Sequence, residues 1–171
     1  MRAVQLEYYE NYPSSLVASN LLSVPAGLAV GLMVLAQLGT WAWVGYLAFW
    51  LLTMASVLAF ACTRCYYYGK TCGAAPFGKL AALFFKKRAE EEFGVATSYK
   101  ATTLLLLASF PLPILGGIAS LIVGFSLYRL LLFLVLIGLT AIGFVRRPRL
   151  CSHCKQAESG RCMMAPRRSD I

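Results

Sequence analysis

Residues 16–61 read LVASNLLSVPAGLAVGLMVLAQLGTWAWVGYLAFWLLTMASVLAFA, a run of 46 residues without a charged side chain. A helix that crosses the hydrocarbon core of a bilayer needs about 20 apolar residues. The run is long enough for two such helices, which we place at 16–37 and 42–61. Residues 37–41 (QLGTW) are polar enough to form the turn between them, and tryptophan suits the headgroup region.

A second apolar run covers residues 101–145, in which Arg129 is the one charged residue. Its 45 residues predict another pair of helices, at 102–123 and 128–145, joined by a turn over 124–129. Hydrophobic residues make up 59% of the chain, which agrees with four spans. The expected fold class is therefore all-α integral membrane, with four transmembrane helices.

Each apolar run is followed by the same arrangement of cysteines. The six cysteines of the chain fall into two copies: Cys62, Cys65 and Cys72, then Cys151, Cys154 and Cys162. Both copies read C-x2-C-x6/7-C-x2-A-P, and equivalent cysteines lie 89 or 90 residues apart. This repetition predicts that the chain arose by internal duplication.

We expect two tandem helical-hairpin repeats. Repeat 1 (1–98) would hold helices 16–37 and 42–61, the cysteine motif 62–72 and an interfacial amphipathic helix at 77–93. Repeat 2 (99–171) would hold helices 102–123 and 128–145, the cysteine motif 151–162 and a polar tail. With two spans in each, both repeats have the same orientation, which predicts a pseudo-two-fold axis along the membrane normal.

The predicted helix at 77–93 has an apolar side and a charged block. Leu80, Leu83, Phe84 and Phe85 gather on one side, and basic and acidic residues follow at 86–92. Such a segment is typical of a helix that lies in the membrane interface. The alternative is a solvated, charged linker.

The basic residues predict the orientation. The region between the hairpins, the C-terminal tail and Arg2 hold 15 of the 16 lysines and arginines, and Arg129 alone lies on the other face. The positive-inside rule then places both termini and both cysteine motifs in the cytoplasm, on a multi-pass protein of the cell membrane. The net charge of +9 is juxtamembrane and predicts attraction to anionic lipid headgroups rather than to nucleic acid.

Clustered cytoplasmic cysteines are more often metal ligands or redox groups than disulfides. A C-x2-C turn aims two sulfurs at one point, and a third cysteine can complete a three-thiolate site. Each half would then hold one metal, or the two C-x2-C pairs would form one four-thiolate site that leaves Cys72 and Cys162 as further ligands or thiols. These donor sets suit zinc or an iron–sulfur cluster, and the count does not decide between them.

Three groups of neighbours bear on this chemistry. His153 lies inside the second C-x2-C, and we expect it to point away from a metal, as intervening residues of such turns usually do. Residues 66–68 (YYY) predict an aromatic belt at headgroup level, with shielding of a cluster or quinone headgroup as the alternative. Met163 and Met164 are expected to be membrane-facing apolar side chains, with ligation of copper(I) as the alternative.

The leading functional hypothesis is an integral membrane protein that binds a soft metal or iron–sulfur centre through its six cytoplasmic cysteines, in membrane electron transfer or sensing. The alternatives are transport or handling of copper, zinc or mercury, and a structural zinc scaffold. Thiol–disulfide exchange ranks lowest, because it does not require the third cysteine of each copy. The sequence contains no hydrolytic or transferase motif, while a redox role, a redox or metal-delivery partner and an oligomer remain open.

Overall fold

The computed structural model describes residues 8–73 and 76–158, apart from the side chains at 147–149, 157 and 158. Within these ranges the chain is helical and has no strand. The helices are α1 (Ser14–Ala36), α2 (Thr40–Ser56), α3 (Phe77–Phe84), α4 (Thr97–Ser109), α5 (Pro111–Val123), α6 (Leu127–Ser152) and α7 (Lys155–Glu158). A π-helical turn (Val57–Ala61) and a 3-10 turn (Cys62–Arg64) continue α2.

Four helical segments are long and apolar enough to cross a membrane, which is compatible with a multi-pass membrane protein. They are Ser14–Ala36, Thr40–Arg64, Thr97–Val123 and Leu127–Ser152. The predicted all-α class is therefore confirmed, and the described residues contain the predicted number of helices that are long and apolar enough to span a membrane. The fourth segment continues well past the predicted end at 145, because charged residues end the apolar run without ending the helix.

The turn between α1 and α2 lies where the sequence predicts it. The Leu38 amide donates to the Leu35 carbonyl at 3.0 Å, and the chain then reverses at Gly39. Gly39 has a φ of +126°, a backbone conformation that glycine adopts at little cost. Trp41 follows directly and is 88% exposed, as suits a side chain at the headgroup level.

Two prolines break the third span into α4 and α5. Because Pro113 has no N–H group, the Ser109 carbonyl lacks its usual donor within the helix. The Tyr46 hydroxyl of α2 donates to this carbonyl instead, at 3.5 Å. A neighbouring helix thus satisfies a backbone group that water cannot reach inside a bilayer.

The helices pack around α1, which contacts α2, α5 and α6. Two adjacent glycines of α5 let it pack closely against α1 and α6. A Cβ added at Gly116 would lie 2.3 Å from the Leu35 side chain of α1, and one at Gly117 would lie 2.3 Å from the Phe133 ring of α6. Small residues that let helices approach closely are the usual means of association inside a membrane.

The helix predicted for 77–93 is shorter than expected, because α3 ends at Phe84. Phe85 is extended, and the Arg88 amide donates to the Thr63 carbonyl at 3.0 Å. This bond draws the chain back to the end of the second span, and the acidic run forms only a 3-10 turn (Glu90–Glu92). This tertiary hydrogen bond accounts for the difference from the predicted helix.

Arg129, the one charged residue of the second apolar run, satisfies backbone carbonyls at the C-terminal end of α5. Its Nη1 atom donates to the Ser120 carbonyl at 2.9 Å and to the Gly124 carbonyl at 2.7 Å. The Ser126 hydroxyl accepts from the Arg129 amide at 3.3 Å and so caps the start of α6. A cation at the C-terminal end of a helix also interacts favourably with the helix dipole.

Candidate thiol site at one end of the bundle

The second and fourth spans end on the same side of the bundle, and there the two cysteine copies meet. Cys62 begins the 3-10 turn that closes the second span, and Cys151 lies in the last turn of α6. One buried cluster contacts thiols from both copies: Cys65, Cys72 and Cys154 pack against Tyr12, Val17 and Tyr67. Cys162, the third cysteine of the second copy, lies outside the described residues.

The same backbone hydrogen bond closes each of the two C-x2-C turns. The Cys65 amide donates to the Cys62 carbonyl at 3.3 Å, and the Cys154 amide donates to the Cys151 carbonyl at 3.2 Å. In the first copy, Cys62 is also close enough to Cys72 and Cys65 to interact with both electrostatically. All five described cysteines are present as half-buried thiols.

Arg64, inside the first C-x2-C, is buried and only 6% exposed. Its Nε donates to the Glu92 carboxylate at 2.9 Å, and its Nη1 donates to the Phe60 carbonyl at 3.0 Å. A buried guanidinium requires such partners, because an unpaired charge there would be strongly destabilising. The ion pair therefore ties the acidic turn at 90–92 to the first cysteine copy.

The loop between Cys65 and Cys72 is held against α3. Gly69 has a φ of +75°, and its amide donates to the Gly78 carbonyl at 2.9 Å. A Cβ at Gly78 would lie 2.0 Å from the Tyr67 carbonyl oxygen and 2.4 Å from that of Lys70. Only glycine allows α3 to approach the loop this closely.

Tyr12 lies between the two copies. Its ring packs on Gly73, beside Cys72, so closely that a Cβ there would be 2.6 Å from the ring. Its hydroxyl donates to the Leu150 carbonyl at 2.7 Å and lies near the Cys154 thiol. Burial, reinforced by the nearby Cys154, raises the pKa of Tyr12, so the phenol stays protonated and able to donate.

Tyr67 is the second residue of this bridge, and its ring centroid lies 5.5 Å from that of Tyr12. Its hydroxyl donates to the Tyr9 carbonyl at 2.6 Å and accepts from the Lys155 amide at 3.1 Å. Burial raises the pKa of Tyr67 to about 12, although the hydrogen bond from the Lys155 backbone acts in the opposite direction. Tyr67 is only 2% exposed, so the expectation that residues 66–68 form an aromatic belt is wrong for this residue.

The N-terminal segment pairs with the second copy. The Tyr9 amide donates to the His153 carbonyl at 3.0 Å, and Tyr9 forms a parallel β-bridge with Cys154. The His153 ring packs on the Tyr9 ring, with centroids 5.1 Å apart. The Tyr66 amide also donates to the Gln156 side chain at 2.7 Å and so joins the two copies directly.

Two lysines bring positive charge to this region. The Nζ atoms of Lys70 and Lys155 lie 4.4 Å and 5.0 Å from the centroid of the Tyr66 ring. Such cation–π contacts place one ammonium group from each half of the chain beside the thiols. The Lys155 ammonium also lies 3.8 Å from the Glu10 carboxylate.

The cysteines of this site are predicted from the sequence, whereas Tyr9 and Tyr12 are not. Both precede the first apolar run, in the segment YYENY at 8–12, and this aromatic density was the available signal. Which carbonyl or thiol a tyrosine contacts depends on the tertiary fold, so the pattern alone did not indicate a bridge.

The described residues contain no group of three or more His, Cys, Asp or Glu side chains arranged to hold a metal ion. The thiols have the donor chemistry that soft metals prefer. Ligation would require them to converge to about 2.3 Å from a common metal.

Comparison of the chain with protein-family models, with curated proteins and with solved structures finds no match. The fold and the site define a class of protein by themselves. The part of the chain that the structure describes is all-helical, with four helices long and apolar enough to span a membrane and a cluster of thiols and tyrosines at one end of the bundle.

Proposed function

We propose that this protein is a multi-pass protein of the cell membrane that binds a soft metal ion or an iron–sulfur centre through its cysteines, in membrane electron transfer or sensing. One observation carries the proposal. Thiols 82 or more residues apart in sequence, Cys65 and Cys72 from one copy and Cys154 from the other, pack on the same buried cluster. Convergence of this kind suits a shared centre or a pair of neighbouring centres.

The cysteine end of the bundle is proposed to face the cytoplasm. The support is the distribution of charge, since the segments flanking this end and Arg2 hold 15 of the 16 basic residues. The partners proposed on the same basis are anionic lipid headgroups and a soluble redox or metal-delivery protein.

The chain is proposed to consist of two tandem hairpin repeats that divide near residue 98. The spacing of 89 or 90 residues between equivalent cysteines supports the duplication. The identical backbone hydrogen bond in the two C-x2-C turns supports it further, because equivalent sequences then adopt equivalent local conformations.

The first copy favours a three-thiolate arrangement. Cys62 lies close enough to Cys72 and to Cys65 to interact with both electrostatically, and ligation would require the three sulfurs to converge further. By analogy, Cys151 and Cys154 would be completed by Cys162. Three thiolates with one position left for another ligand suit a [4Fe–4S] cluster or a zinc ion.

A structural zinc scaffold is the second candidate. The thiols lie where the two hairpins meet, and a closed zinc–thiolate site there would contribute folding energy directly. Transport of copper, zinc or mercury has less support, because Met33, one of the few sulfur side chains within the spans, is about half exposed on the outside of the bundle.

The test is elemental analysis and visible absorption of the full-length chain, purified without oxygen from cells supplied with iron and zinc. Iron with acid-labile sulfide would support a redox or sensing centre, and zinc without iron would support the scaffold. A preparation that holds neither would overturn metal binding.

Cysteine variants test whether the thiols hold the bound metal. Cys62→Ser, Cys65→Ser and Cys72→Ser should each lower the metal content, whereas Thr71→Ser, in the same loop, should leave it unchanged. Metal content that persists after all six cysteines have been replaced by serine would exclude the proposed ligands.

A further inference from the structure

The short helix α3 is fixed beside the last turns of the second span. It packs against Val57–Ala61 and Cys62–Arg64, both of which belong to that span. Gly78 and Ala81 form its inner face, and Ala81 is completely buried. The rotation of α3 about its own axis is therefore set by its contacts with the bundle.

The opposite face of α3 is apolar and exposed. Leu80, Leu83 and Phe84 are spaced so that they lie on one side of a helix, and they are 39%, 74% and 69% exposed. Because α3 packs on residues of a membrane span, this face lies level with the end of the span. At that depth in the bilayer, the boundary between acyl chains and headgroups would cover the apolar face of α3.

Lysines flank this apolar face. Lys79 and Lys86 are exposed, and neither forms an ion pair with another described residue. Lys87 pairs with Glu90 at 2.6 Å, and the Arg88 guanidinium lies 5.3 Å from the centroid of the Phe60 ring.

The acidic residues that follow do not cancel this charge. Glu92 pairs with the buried Arg64 at 2.9 Å and Glu90 pairs with Lys87, while Glu91 is exposed beside them. With two of the three carboxylates directed at other cations, the surface formed by Lys79 of α3 and by Lys86, just beyond its end, is positive.

We infer that α3 and residues 85–88 form a docking site for an anionic phospholipid. Leu83 and Phe84 enter the acyl boundary, and the ammonium groups of Lys79 and Lys86 bind the phosphate-bearing headgroup. A polar headgroup above and an acyl chain below match this arrangement of charge and apolar surface. This docking site rests on the membrane location proposed above but not on metal binding, because no cysteine takes part in it.

The experiment uses the full-length chain in vesicles of equimolar phosphatidylglycerol and phosphatidylcholine. Lipids retained after mild detergent extraction are counted by mass spectrometry. A lysine near an anionic surface is worth about a fivefold preference. We therefore expect the wild type to retain mostly phosphatidylglycerol, and the double variant Lys79→Gln/Lys86→Gln to lose roughly 30-fold in this preference.

The matched control is Lys100→Gln, which removes one exposed lysine outside α3 on the same face of the bundle and should lower the preference by no more than about fivefold. Amide hydrogen exchange then locates the contact. Residues 80–88 should exchange more slowly in phosphatidylglycerol nanodiscs than in phosphatidylcholine nanodiscs, and Leu83→Gln/Phe84→Gln should abolish the difference. If the double lysine variant keeps the lipid ratio of the Lys100→Gln control, or if exchange at 80–88 is the same in both lipids, the site is refuted.

Discussion

The Tyr12 hydroxyl donates a hydrogen bond of 2.7 Å to the Leu150 carbonyl, across 138 residues of sequence. The same side chain packs its ring on Gly73 of the first cysteine copy. Tyr12, which precedes the first span, thus contacts both copies. The relative position of the two sets of thiols therefore depends on Tyr12 as well as on the packing of the helices.

Replacing Tyr12 with phenylalanine should loosen the second copy while preserving the ring contact with Gly73. The Leu150 carbonyl would lose its donor, and we expect a destabilisation of about 1–2 kcal/mol. Thermal unfolding measures this cost, and the rate of maleimide labelling at Cys154 should rise. Tyr128→Phe, an exposed tyrosine far from the thiols, is the control. Equal labelling rates in the two variants would show that the hydroxyl does not hold the copies together.

Alkaline pH should open the thiol end of the bundle. Burial raises the pKa of Tyr67 from 10.0 to about 12, so ionisation is less favourable in the folded state than in the unfolded state. Its contribution to stability is complete below about pH 10 and is lost as pH rises through about 12. The raised pKa of Tyr12 acts in the same direction.

This pH dependence is measured as the unfolding temperature between pH 8 and 12, with tyrosinate absorbance recorded in parallel. Tyr67→Phe should be less stable at neutral pH, because the Tyr9 carbonyl and the Lys155 amide lose a partner. The variant should also show a smaller decline in alkali. A decline as steep as that of the wild type would assign the effect to other groups.

Gly78→Ala should separate α3 from the first cysteine copy. The new methyl group would overlap the Tyr67 and Lys70 carbonyl oxygens, and backbone atoms cannot move aside as a side chain can. We expect a loss of about 3 kcal/mol and faster amide exchange in α3. Gly138→Ala is the control, because a Cβ at that position of α6 meets nothing within 4 Å. Similar stability of the two variants would contradict the close approach of α3.

The spans and the cysteine end of the bundle could be predicted from the sequence because they depend on local properties. The length of each uncharged run determines whether a helix crosses the bilayer, and the Gly39 turn follows from a short polar interruption. The position of Cys62 and Cys151 at the ends of spans then follows from chain connectivity alone.

The bridge and the end of α3 could not be predicted in this way. Tyr67 occurs in a run of three tyrosines, which is typical of an interfacial belt, yet the fold buries it. The helix expected to continue to 93 ends at Phe84, because the Thr63 carbonyl accepts from Arg88. The burial of Tyr67 and the end of α3 both depend on backbone groups that find their hydrogen-bond partners only in the tertiary fold. Composition and periodicity give no information about those partners.

The pairing of Tyr9 with His153 has a consequence for biosynthesis. A ribosome makes Tyr9 before the first span and His153 only after the fourth, so Tyr9 waits for its partner while all four spans are made. Cys62, Cys65 and Cys72 emerge in that interval, before the second copy can cover them. Any thiol reagent that reaches the nascent chain therefore meets an open first copy, and synthesis of the second copy is the event that closes it.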